Sequence, residues 1–84
     1  MIFGAGKRGT SIADYLLDHG IKVEKFCDNA VAMQGQNVWR GIRCTAPENL
    51  DASCFCVVTT PAKYNQEITE QLKRLGVTEY YLYN

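Results

Sequence analysis

The stretch that decides the fold is Met1-Ile2-Phe3-Gly4-Ala5-Gly6-Lys7-Arg8-Gly9. Its glycines have the spacing G-x-G-x-x-G, and they sit where a short apolar strand hands over to an amphipathic helix. In that setting Gly4 suits a tight turn out of the strand. Gly6 leaves the backbone bare for a pyrophosphate, and Gly9 lets the helix pack close to the sheet. The start of the helix offers unpaired N–H groups and a partial positive charge, so it is a place for an anion. Lys7 and Arg8 lie in the same turn, where they either add charge-assisted contacts to phosphate or point to water.

Outward from this turn, Ile12, Ala13, Leu16 and Leu17 recur at helical spacing, and Gly20 suits the position just past a helix end. Residues 21–27 alternate apolar and charged, which predicts a second strand nearer an edge of the sheet. Asp28 closes it, 19 residues after the last glycine. A carboxylate there is placed for the hydroxyls of a ribose, and it disfavours a 2′-phosphate, hence NAD over NADP. The competing reading is an Asx turn that only caps the strand.

Residues 30–45 read as a loop with one or two very short extended pieces, and Pro47 as the first turn of a short helix. Cys54-Phe55-Cys56-Val57-Val58-Thr59 is a continuous apolar run, as in a strand covered on both faces. Thr60-Pro61 then reads as an N-cap followed by the first helical residue. Tyr64, Ile68, Leu72 and Leu75 form one stripe on that helix. Residues 80–83 make a last strand. Ligands in open parallel sheets sit beyond the carboxyl ends of the strands, so Thr59 and Thr60 face the same crevice as the glycine turn. For Thr60, capping is the preferred role.

The order β-α-β-(loop and short helix)-β-α-β predicts an α/β, Rossmann-like, three-layer domain. Its parallel sheet has about four strands, in the spatial order second, first, third, fourth, with helices on both faces. Eighty-four residues make one such domain, 1–84, and leave no room for a catalytic one. Because only three residues precede Gly4, the expectation is a domain excised from, or part of, a larger protein.

Nine basic residues offset nine acidic ones, so charge points to no nucleic-acid partner. No apolar run approaches the roughly 20 residues of a membrane span. Cys27, Cys44, Cys54 and Cys56 contain no C-x-x-C pair, and they read as reduced, buried thiols of a cytoplasmic protein rather than as a metal site. An exposed sheet edge makes homo-oligomerisation a possibility.

Three strings carry a family resemblance. They are Ile-Phe-Gly-Ala-Gly-Lys-Arg-Gly at 2–9, Phe-Cys-Asp-Asn at 26–29, and Gly-Ile-Arg-Cys-Thr-Ala-Pro-Glu-Asn-Leu at 41–50. Together they resemble the small Rossmann-like domains attached to bacterial polysaccharide enzymes. Among these are accessory domains of glycosyltransferases and FkbM-type methyltransferases, the amino-terminal domain of PglD-like sugar acyltransferases, and the CoA-binding-like domain of nucleotide-sugar dehydratases. The resemblance implies that Gly4, Gly6, Gly9 and Asp28 meet a nucleotide or nucleotide-sugar, in a module that serves a larger transferase. The alternatives are half of an NAD-dependent oxidoreductase, for which the chain supplies no proton donor, and a structural or oligomerisation domain that binds nothing.

Overall fold

A computed structural model describes residues 1–84. Six strands and two α-helices form one mixed sheet and its cover. In chain order the elements are β1 (Ile2–Phe3), α1 (Lys7–Asp18), β2 (Phe26–Cys27), β3 (Asn37–Trp39), β4 (Ile42–Thr45), β5 (Cys56–Val58), α2 (Asn65–Arg74) and β6 (Tyr80–Leu82). Single 3₁₀ turns lie at Val31–Met33, Pro47–Asn49 and Ala62–Tyr64.

The sheet order is β3-β4-β2-β1-β5-β6. β1 is central and parallel to both neighbours, with Ile2 opposite Phe26 and Val57, and Phe3 opposite Cys27 and Val58. β5 and β6 are parallel as well, so the four strands foreseen lie in the order foreseen. The count of four falls short by two. β4 pairs in parallel with β2, and β3 folds back antiparallel on β4 through the turn at Arg40-Gly41. Residues 30–45 carry few apolar anchors, and their strands exist because β2 presents a free edge to them. That edge is therefore covered: β2 lies two strands in from its edge of the sheet, as β1 does from the other, so the expectation that the second strand is nearer an edge is corrected. β2 is also shorter than residues 21–27, because β1 offers only Ile2 and Phe3 to pair with it.

Neighbouring residues on a strand point to opposite faces, and the core divides accordingly. Ile2, Phe26 and Cys44 pack with Ala13 of α1 and with Val23. Phe3, Cys27, Cys56 and Val58 pack with Ile68 and Leu72 of α2 and with Val77. Two expectations about the second helix need correction. Pro61 is extended (φ −55°, ψ 144°), and a 3₁₀ turn closes as Tyr64 N–H donates to Pro61 O at 2.9 Å. α2 therefore begins at Asn65, and Thr60 caps nothing. Tyr64 precedes the helix and is 41% exposed, so the buried stripe is Ile68 and Leu72, with Val77 beyond the helix end.

Candidate functional site

Each of the three glycines in the first turn meets a different physical demand. Gly4 has φ +117°, and a Cβ there would lie 2.5 Å from Thr59 Oγ1. At Gly9 a Cβ would overlap the carbonyl oxygen of Gly4. That contact is what brings α1 hard against the end of β1. Gly6 is different: it is extended (φ −81°, ψ −162°), and nothing lies within 4 Å of where its Cβ would stand. The fold would accept a side chain at Gly6, and leaving it bare keeps open the space in front of the helix.

Gly6 is the N-cap of α1, and no side chain caps the helix. No acidic residue stands in its first turn. Thr10 N–H donates to Gly6 O at 3.0 Å, so the amides of Lys7, Arg8 and Gly9 have no carbonyl one turn back to receive them. Lys7 and Arg8 are exposed and line the cavity in front of these amides.

Asp28 follows β2 and holds this turn in place. Its Oδ2 accepts the Ala5 N–H at 2.9 Å, across the strand ends. Its Oδ1 accepts the Ala30 N–H at 2.8 Å, closing the Asx turn weighed from the sequence. A carboxylate has about four acceptor directions, so two remain beside the cavity that Asp28 lines. Gln34 Nε2 donates to the Asp28 carbonyl at 3.0 Å. Asn29 and Gln71 exchange a reciprocal pair of amide hydrogen bonds at 3.0 and 2.8 Å. The loop bearing the carboxylate is thus tied to α2.

Across the cavity, Thr59 is buried, and its hydroxyl lies 3.2 Å from the carbonyls of both Phe3 and Gly4, which share its single proton. Thr59 therefore ties the end of β5 to the glycine turn. Thr60 also lines the cavity, and its hydroxyl oxygen is buried with no partner. With capping excluded, that orphaned group is available to a ligand. The cavity has a volume of about 700 Å³, within the range of small-molecule sites. It gathers Gly4, Gly6, Lys7, Arg8, Gly9, Asp28, Thr59 and Thr60 in one place. Ala5 is buried behind it and contributes its amide to Asp28. Tyr83, just past β6, completes the rim. From the sequence Tyr83 reads as the end of the last strand, although the rule that points to Thr59, ligands beyond the strands' carboxyl ends, applies to it equally.

No three His, Cys, Asp or Glu side chains come close enough to share a metal ion. All four cysteines are unpaired, and three are buried. Burial pushes the Cys27, Cys44 and Cys56 thiols above their ordinary range, Cys56 to about 11. These thiols stay protonated and serve as core. No helix is long and apolar enough to cross a membrane.

No curated protein matches the chain. Among solved structures, the fold matches that of RSP, a Rex-family repressor, with a TM-score of 0.74 and 22% identity over 94% of this chain and 41% of that one. The structure of RSP in complex with β-NAD⁺ and operator DNA matches with a TM-score of 0.72 and 21% identity, over 94% and 40% of the two chains. That of RSP in complex with β-NADH gives 0.70 and 22%, over 94% and 42%. The chain spans about two fifths of the length of these structures. The likeness establishes a Rossmann-like fold. It also overturns one expectation, that of no nucleic-acid partner, which rested on balanced charge. A protein containing this fold is seen on operator DNA, so neutrality of the domain excludes nothing of the kind. A family model covers residues 1–82, and the chain belongs to the C2185-like, N-terminal family.

Proposed function

We propose that the chain is a dinucleotide-binding module whose ligand is NAD(H), within a larger protein. The observation that carries this reading is the bare, uncapped start of α1 at Gly6, opening on a cavity that a carboxylate shares. A diphosphate would accept hydrogen bonds from the free amides of Lys7, Arg8 and Gly9, with the helix dipole and the two cationic side chains in support. The acceptor directions left on Asp28 would take the hydroxyls of the neighbouring ribose. The reading treats the domain as a three-layer unit with a helix on each face, which the two core clusters support.

RSP, whose fold this chain shares, has been solved with β-NAD⁺ and with β-NADH, and this favours NAD(H) over a nucleotide-sugar. A polysaccharide enzyme or glycosyltransferase as the parent finds no support in the matches, and the proposal stands without one. Four unpaired thiols favour a reducing, cytoplasmic setting.

Calorimetric titration of the protein with NAD⁺, NADH, a UDP-sugar and CoA tests the reading. Saturable binding of NAD⁺ or NADH, weakened at least tenfold by Asp28→Ala, is the expected result, since lost hydrogen bonds to a charged group cost roughly 1.5–3 kcal/mol. Binding of none of the four would leave a structural or oligomerisation domain. Hydride transfer by the chain alone would instead establish the oxidoreductase half.

A further inference from the structure

No residue of α2 lines the cavity, yet side-chain amides of this helix tie down the segments on both sides of it. On one side Gln71 Nε2 donates to Asn29 Oδ1 at 2.8 Å, and Asn29 Nδ2 donates back to Gln71 Oε1 at 3.0 Å. On the other, Asn65 and Asn84 exchange a pair of the same kind, and Asn84 Nδ2 also donates to the Thr60 carbonyl at 3.1 Å.

The first pair stands one residue from the carboxylate. Two primary amides that each give a donor and an acceptor fix both the separation and the mutual orientation of their side chains. Gln71 is a firm base for this, because the next residue, Leu72, is fully buried in the core. Asn29 opens a loop that apolar packing does little to fix: residues 29–32 are exposed, and the turn at Val31–Met33 buries no residue.

Asp28 has to satisfy that loop and the glycine turn at once. Its Oδ1 accepts from Ala30 in the loop and its Oδ2 from Ala5 in the turn. A loop that drifts carries the Ala30 N–H with it, and the carboxylate then follows the loop or stays on Ala5, but not both. The clasp to Gln71 holds the loop where both bonds coexist.

We propose that Gln71 is a positioning residue for Asp28: acting through Asn29, it keeps the carboxylate on the Ala5 amide and its remaining acceptor directions beside the cavity. The inference rests on the NAD(H) reading above for the ligand, and it adds a residue outside the cavity on which affinity depends.

The test has two arms, with thermal unfolding as the check that each variant folds. The first needs no ligand. Amide hydrogen exchange is followed by NMR at Ala5 and Ala30, relative to Val58 in the core. In Gln71→Ala, and in Asn29→Ala, which removes the other half of the pair, Ala5 and Ala30 should exchange about two- to tenfold faster while Val58 is unchanged. Asn65→Ala removes the other amide pair of the same helix and should leave Ala5 and Ala30 as they were. The second arm is a double-mutant cycle read by titration with NADH. Gln71→Ala should weaken binding about two- to tenfold in the parent protein and have no effect in the Asp28→Ala background. Unchanged exchange at Ala5 and Ala30, acceleration shared equally by Val58, or the same loss of affinity in both backgrounds would overturn the positioning role and leave NAD(H) binding intact. If the parent protein binds no NADH, the NAD(H) reading fails, and the exchange arm alone decides whether Gln71 holds the carboxylate.

Discussion

Gly6 and Gly9 are two glycines of one motif, and they answer to different pressures. At Gly9 an added methyl group would run into the carbonyl of Gly4, which is backbone and cannot swing aside. Gly9→Ala should therefore lower stability by about 1–3 kcal/mol, and thermal unfolding would show a midpoint depressed by roughly 5–20 °C. At Gly6 the backbone is extended and the space ahead is empty, so folding does not ask for glycine. Aspartate is among the best N-cap residues, and its charge suits the helix dipole. Gly6→Asp should leave the unfolding midpoint unchanged or raise it, with a gain of up to about 1 kcal/mol. The same carboxylate would occupy the free amides and repel a diphosphate, so NADH binding measured by calorimetry should vanish. A Gly6→Asp protein that still binds NADH as tightly as the parent would remove these amides from the site.

At the scale of elements, α2 distinguishes helical spacing from helical burial. Tyr64 and Leu72 belong to the same spacing of apolar residues, yet Leu72 is fully buried and Tyr64 stands before the helix, partly in water. Leu72→Ala should destabilise by about 2–5 kcal/mol and Tyr64→Ala by less than about 1 kcal/mol, as urea titration would report. The same contrast explains which elements the sequence made legible. The glycine turn, α1, the apolar run of β5 and the relative order of β2, β1, β5 and β6 follow from residues whose demands are local: glycine spacing, helical periodicity and chain crossovers. β3 and β4 are legible only as one or two very short extended pieces within residues 30–45, not as paired strands, because Val38, Ile42 and Cys44 gain a sheet partner only once β2 is in place. Thr60 misled for a related reason. A threonine before a proline fits an N-cap, and only the extended Pro61 and the turn behind it show that no helix starts there. At the candidate site, the motif residues were legible as a set. The hold of Asp28 on Ala5 was not, since it joins two loops 23 residues apart through a backbone amide.

For the whole molecule, the thiols set an upper limit of pH. Both halves of the core contain buried cysteine: Cys27 and Cys56 on the side of α2, Cys44 on the side of α1. In the unfolded chain a thiol ionises near 9.0, whereas Cys56 in the fold is held protonated to about 11, chiefly because burial penalises the thiolate. Above pH 9 the unfolded state sheds protons that the folded state keeps. Alkali therefore draws the equilibrium toward unfolding. The stability associated with the neutral thiol is complete below pH 9 and is lost as the pH climbs toward 11. At about 1.4 kcal/mol per unit of pKa difference, Cys56 alone accounts for roughly 3 kcal/mol over that span. A domain this small has little stability in reserve. In reducing buffer the urea midpoint should hold steady between pH 7 and 8.5, then fall steeply between pH 9 and 11. Exposed lysines and tyrosines titrate over the same range, so the Cys56→Ala protein supplies the control: starting less stable, it should lose clearly less over those two units. An identical slope in the two proteins would assign the alkaline loss to surface groups and acquit the buried thiol.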